Sequence, residues 1–212
     1  MDKPTSPESH MAATRTLVVG HSFVTRAKTF TEDHSMLNLN LSPRHHVVDF
    51  VGRGGAQIQD VLTLFAARPA DPDLVIVDIG TNDLSGTISP ISLANDLWDI
   101  AKTLLTTGVK RVILLGPVYR AAEGRHAAPD QFNERVRIFN RALQMTIKGS
   151  SLPVHFWYHR GLSAQVTAYI TDGVHLNSAG VQKYLRSLRR AVMRFTREWR
   201  NEARVNACYG GH

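Results

Sequence analysis

The sequence predicts a three-layer α/β domain, a five-stranded parallel sheet covered by helices on both faces. Three observations carry this. Short β-branched and apolar runs alternate with longer segments of helical spacing. Most of those runs are apolar throughout, as strands buried on both faces are. The segments between them are long enough for crossovers, which make neighbouring strands parallel. A chain of 212 residues, 43% hydrophobic and 20% charged, suits one sizeable core.

The expected strands are Thr16 to Gly20, His46 to Val51, Leu74 to Ile79, Arg111 to Leu115 and Val154 to Trp157. Helical spacing covers Ile58 to Ala67, Ile91 to Thr107 and Gln131 to Ile147; Leu93, Leu97, Ile100, Ala101, Leu104 and Leu105 line one face of the second, and Phe132, Val136, Phe139 and Leu143 one face of the third. A last helix is expected from Ala179 to about Arg204, after the cap-like Asn177-Ser178. Residues 1–13 lack periodicity and read as a disordered leader, 14–204 as the domain and 205–212 as a C-terminal tail.

No apolar run reaches the roughly 18 residues of a membrane-spanning helix, and the first ten residues have no signal-peptide core. A single cysteine, Cys208, excludes an internal disulfide framework. These features predict a cytoplasmic protein, and no motif calls for a cofactor or metal; His45 and His46 with Asp49 converge poorly, because neighbouring strand residues face opposite ways. The chain carries +7 formally, and the last helix alone holds eight Lys and Arg against two Glu. Its Arg190, Arg194 and Arg197, near Trp199, are candidates for contacting nucleic acid or another anionic partner; a solvated outer helix face explains the same charges.

Four turns hold the candidate chemistry. Gly20-His21-Ser22-Phe23 follows the first strand, where an open parallel sheet binds its ligands. Ser22 there is either a nucleophile or the cap of the following helix. Asp172-Gly173-Val174-His175 precedes the last helix; the carboxylate can orient the imidazole as a general base, or the four residues form an Asx-type turn. Gly52-Arg53-Gly54-Gly55 and Gly80-Thr81-Asn82-Asp83 follow strands two and three, and a glycine N–H with an asparagine amide would supply oxyanion donors. The connection from Pro117 to Pro129, with Arg120, Arg125 and His126, is long enough to wall the pocket, its charge suiting an anionic or polar alcohol portion of a substrate.

In this order the four blocks resemble the SGNH (GDSL-like) hydrolases over residues 16 to about 200. The resemblance implies a flavodoxin-like three-layer fold and metal-free hydrolysis of esters, of short acyl or acetyl groups, in a lipid, carbohydrate or other small molecule. It assigns Ser22 as nucleophile, His175 as base and Asp172 as acid, with Ser22, Gly55 and Asn82 forming the oxyanion hole. The family usually has Asp where this chain has His21, which leaves the imidazole either to pack or to act in the pocket. Arg120 matches no family motif. The Gly-His-Ser triplet is also loosely similar to esterase domains in the nucleic-acid-chaperone proteins of some LINE retrotransposons. The rival expectation is an inactive scaffold that binds through its basic last helix. Gly-x-Ser-x-Gly fails at Val24 and a dinucleotide fingerprint fails at Gln57.

Overall fold

A computed structural model describes residues 12–121, 129–162 and 169–209, with side chains to Glu202. Its five strands are β1 (Thr14–Gly20), β2 (His46–Gly52), β3 (Leu74–Asp78), β4 (Arg111–Leu115) and β5 (Val154–Trp157). All pairings are parallel, in the order β2-β1-β3-β4-β5. The helices are α1 (Ser22–Asp33), α2 (Val61–Ala66), α3 (Pro90–Thr106), α4 (Pro129–Lys148) and α5 (Ser178–Tyr209).

Strand alternation divides the interior into two cores. Leu17, Val19, Val75, Val77, Val112 and Leu114 face α2, α3 and α4, whereas Val18, Ile76, Ile113 and Leu115 face α1 and α5. Strands β3 and β4 are buried at every position, and the edge strands β2 and β5 only in part. This explains why the middle strands are apolar between their ends, with charge only at the terminal Asp78 and Arg111, while β2 carries Asp49 in mid-strand.

Two expectations need correction. The segment Ile58 to Ala67 is not one helix: a 3-10 turn, Ile58–Asp60, precedes the short α2 because Gln57 and Asp60 close a reciprocal capping box. The last helix runs beyond Arg204 to Tyr209, so most of the supposed tail continues α5. Residues 1–11 of the supposed leader lie outside the described residues, as do Arg125 and His126. Among the described residues no helix is long and apolar enough to cross a membrane.

The strand order fixes where a ligand can enter. From β1 the chain crosses to β2 on one side, then returns past β1 to β3, so crossovers leave β1 and β3 in opposite directions and a crevice opens at their carboxyl ends. Gly20 makes the close approach there: a Cβ on it would lie 2.0 Å from the Asp78 carbonyl oxygen. Backbone bonds extend the ladder past the strand ends, His21 N–H donating to Asp78 O at 3.1 Å and Arg53 N–H to Gly20 O at 3.0 Å.

Candidate active site

A cavity of about 760 Å3 occupies that crevice, and its walls include Ser22, Gly55, Asn82, Arg120, Asp172 and His175. The cavity thus brings together all four motif turns and one residue of the β4 loop. Ser22 is the first residue of α1, and the cap is His21, whose Nδ1 accepts the Phe23 N–H at 3.4 Å. The capping alternative for Ser22 is therefore replaced by a neighbour. Ser22 N–H sits among the helix's first donors, which have no intrahelical acceptor, at the positive end of the helix dipole.

His21 is 1% exposed. With Nδ1 accepting, Nε2 carries the proton and faces Asp78 Oδ1 at 3.5 Å, while Tyr184 Oη donates to Asp78 Oδ2 at 2.6 Å. His159 joins this buried group, its ring 4.8 Å from that of Tyr184. Burial outweighs the nearby Asp78 charge and lowers the His159 pKa to about 4, so the ring is neutral near pH 7. Burial would raise the Asp78 carboxyl, but His21, His159 and the Tyr184 hydroxyl more than offset that and hold it below its usual value. The imidazole that replaces the family's Asp therefore packs and caps beneath the turn. An acidic residue inside the apolar run Leu74 to Ile79 was the available signal for this network; His159 had none.

Asp172 forms a turn and a side-chain hydrogen bond to His175 with separate oxygens. Oδ1 accepts the N–H groups of Val174 at 3.1 Å and His175 at 2.6 Å; Oδ2 meets His175 Nδ1 at 2.7 Å. The two alternatives for this motif thus hold together. Burial tends to raise the Asp172 carboxyl, yet the hydrogen bonds from the His175 ring and the two N–H groups keep it well below the usual carboxylate range. The ring presents Nε2 as its other edge, and Phe23 packs edge-on against it at 6.5 Å between centroids. Among the described residues the Ser22 hydroxyl has no hydrogen-bond partner.

The other two turns are locked to each other. Asn82 Nδ2 donates to Ala56 O at 2.8 Å, and the Asp83 carboxylate accepts Ile58 N–H at 3.1 Å. Asn82 thus uses one amide hydrogen to hold the neighbouring loop and keeps the second. Gly55 has φ +74°, a left-handed conformation that favours glycine, with open space where a Cβ would stand.

The basic helix has its own depression. Arg186, Arg190, Arg194 and Arg197 line a cavity of about 550 Å3 with Trp157, Tyr158 and Tyr169. The expected stacking partner, Trp199, is placed elsewhere: the Lys110 ammonium lies over its ring at 4.5 Å. Helical periodicity located the arginines, but only the fold brings the β5 aromatics beside them.

Among solved structures, the chain is similar to a Bacteroides fragilis protein assigned as an acylhydrolase (18% identity, 89% of this chain and 92% of that one, TM-score 0.67). It is similar to a GDSL-like lipase from Bacteroides thetaiotaomicron (19%, 85% and 88%, TM-score 0.62) and to the acetylxylan esterase Axe2 from Geobacillus stearothermophilus (15%, 85% and 94%, TM-score 0.59). At these identities the likeness establishes a shared fold. No curated protein sequence matches. The model of the GDSL-like lipase/acylhydrolase family matches residues 19–183, which contain all four motif turns. With that match over most of its length and the SGNH-type fold around it, the chain belongs to the GDSL-like lipase/acylhydrolase family and is an SGNH-type esterase.

Proposed function

We propose that this chain cleaves carboxylic esters of acetyl or other short acyl groups through Ser22, His175 and Asp172. The supporting observation is that a serine hydroxyl at a helix N-terminus and a carboxylate-oriented imidazole, 153 residues apart in sequence, line one cavity. His175 Nε2 takes the Ser22 proton as Oγ attacks the carbonyl carbon. Asp172 keeps the proton of the neutral ring on Nδ1 and stabilises the imidazolium that forms. The oxyanion accepts hydrogen bonds from the N–H groups of Ser22 and Gly55 and from the free amide hydrogen of Asn82. The alcohol leaves with the proton from Nε2; water then attacks the acyl-enzyme by the same base and restores Ser22. Ser22→Ala should abolish both hydrolysis of 4-nitrophenyl acetate and labelling by a fluorophosphonate. Turnover equal to wild type in that variant refutes the assignment of Ser22 as the nucleophile.

The cavity on α5 favours a second, compatible reading: binding of single-stranded nucleic acid. Arg186, Arg190 and Arg197 have no carboxylate partner among the described residues, whereas Arg194 pairs with Glu198 at 2.9 Å. From Arg186 to Arg197 the row rises eleven residue steps of helix, about 16 Å, in steps of about 4.5 to 6 Å that suit successive phosphates of an extended strand. The aromatic wall offers stacking surface for bases. Changing Arg190, Arg194 and Arg197 to Glu should weaken binding of a fluorescent oligonucleotide and lower the salt slope by about 2, at ~0.7 for each phosphate no longer neutralised. Binding that is insensitive to both salt and these changes dismisses the reading.

A further inference from the structure

The active-site cavity contains a cation that pairs with no carboxylate among the described residues. Arg120, on the loop after β4, is 7% exposed and lines the cavity with Ser22, Asn82 and His175. Its position is fixed from three sides. Asn133 of α4 clamps the main chain, its Oδ1 accepting Arg120 N–H at 2.9 Å and its Nδ2 donating to Arg120 O at 3.0 Å. The guanidinium stacks on the ring of Phe132, 3.9 Å from its centroid. Nη2 donates to Ser85 Oγ at 2.6 Å, and that hydroxyl is itself held by donating to Thr81 O at 3.0 Å.

Among the described residues it has no counter-charge: the Nε and Nη1 atoms of Arg120 have no hydrogen-bond partner, and no carboxylate pairs with it. Burial without an opposing charge pulls its pKa below the ordinary arginine value. The chain treats its other well-buried arginine differently: Arg111 meets both Glu202 and His155. Stability does not explain the difference, because an apolar side chain stacked on Phe132 would fill the space without desolvating a charge. Clamping a guanidinium beside a reaction site is instead what recognition of an anion requires, since no ordering cost is left for the moment of binding.

We infer that Arg120 is the anion receptor of this pocket, so that the preferred substrates are esters bearing a carboxylate or phosphate within reach of the reacting carbonyl. The inference rests on the ester-hydrolase reading for its reaction, but the receptor itself is testable without turnover. The charged group supplies the absent partner of the guanidinium, fixes the ester against Ser22, and is a feature that neutral acetyl esters lack.

The test compares matched esters. Phenyl acetate against 3-acetoxybenzoate and 3-acetoxyphenyl phosphate places a carboxylate or a phosphate on the alcohol side; phenyl pentanoate against monophenyl adipate places a carboxylate on the acyl side. The expected result is a preference of at least ten-fold in kcat/KM for one anionic ester over its neutral partner. That preference should fall at least ten-fold in Arg120→Met and less in Arg120→Lys, which keeps the charge but loses the planar fork. Equal rates for charged and neutral esters in the wild type, or a preference that survives in Arg120→Met, overturn the inference. If no ester shows turnover dependent on Ser22, the hydrolase reading fails separately, and calorimetry decides the receptor. Titration with 3-hydroxybenzoate, inorganic phosphate and adipate should then show binding to wild type that is weakened in Arg120→Lys; no binding of any of the three to wild type, or binding unchanged in that variant, refutes it. Using the lysine variant keeps this arm decisive should Arg120→Met fail to fold.

Discussion

Replacing His159 with Phe should remove a specific share of the acid sensitivity of this protein. His159 is 4% exposed, both its ring nitrogens lack hydrogen-bond partners, and it faces Asp78 of β3, His21 after β1 and Tyr184 of α5. Its pKa falls from 6.5 to about 4 on folding. Between those values the unfolded chain binds a proton that the native chain refuses, so stability rises with pH in that window and is lost as pH falls through it. For one such group the loss from pH 7 to pH 5 is about 2 kcal/mol, approaching about 3 kcal/mol at pH 4. Phe is slightly larger than His and can add a packing cost, but that cost is the same at every pH. The informative quantity is therefore the difference in urea-unfolding free energy between pH 7 and pH 5, measured for both proteins. The variant should lose about 2 kcal/mol less than wild type over that interval. Parallel pH profiles would show that His159 is protonated in the native state, or solvated, and that the buried network beneath the Ser22 turn is wrongly drawn.

Three other substitutions test the site's framework. Gly20→Ala puts a methyl group 2.0 Å from the Asp78 carbonyl of the adjoining strand, and should cost more than about 4 kcal/mol by chemical denaturation; a native-like unfolding midpoint contradicts that strand approach. Gly55→Ala meets no atom within 4 Å but must hold φ near +74°, so it should cost only about 1 kcal/mol, and a loss as large as that of Gly20→Ala would rule out the open left-handed turn. Asp172→Asn preserves an Oδ1 acceptor for the two turn N–H groups yet presents an amide to His175 Nδ1, imposing the wrong tautomer; kcat should drop by ~10⁴ with little change in thermal stability, and a drop below ten-fold argues against an orienting carboxylate.

Much of this architecture was legible because its causes are local. The five strands are legible with boundaries within about two residues, since burial on both faces imposes four consecutive apolar residues on each of β3 and β4, beside the terminal Asp78 and Arg111. The Asp172 to His175 unit could also be read directly, because four consecutive residues contain both the turn and the contact. The helix boundaries were less secure where short-range hydrogen bonding competes with periodicity, as at Gln57 and Asp60.

The sequence by itself determined the alternation of strands and helices, the presence of serine, histidine and carboxylate in turns, and the positive row on the last helix. Tertiary structure alone decided the β2-β1-β3-β4-β5 order and with it the crevice where those turns meet. It also decided that His21 is buried against Asp78, while among the described residues no carboxylate pairs with the buried Arg120. The physical reason is that periodicity reports which face of an element avoids water, whereas desolvation and counter-charge at a single side chain depend on neighbours contributed by distant segments, which no local pattern encodes.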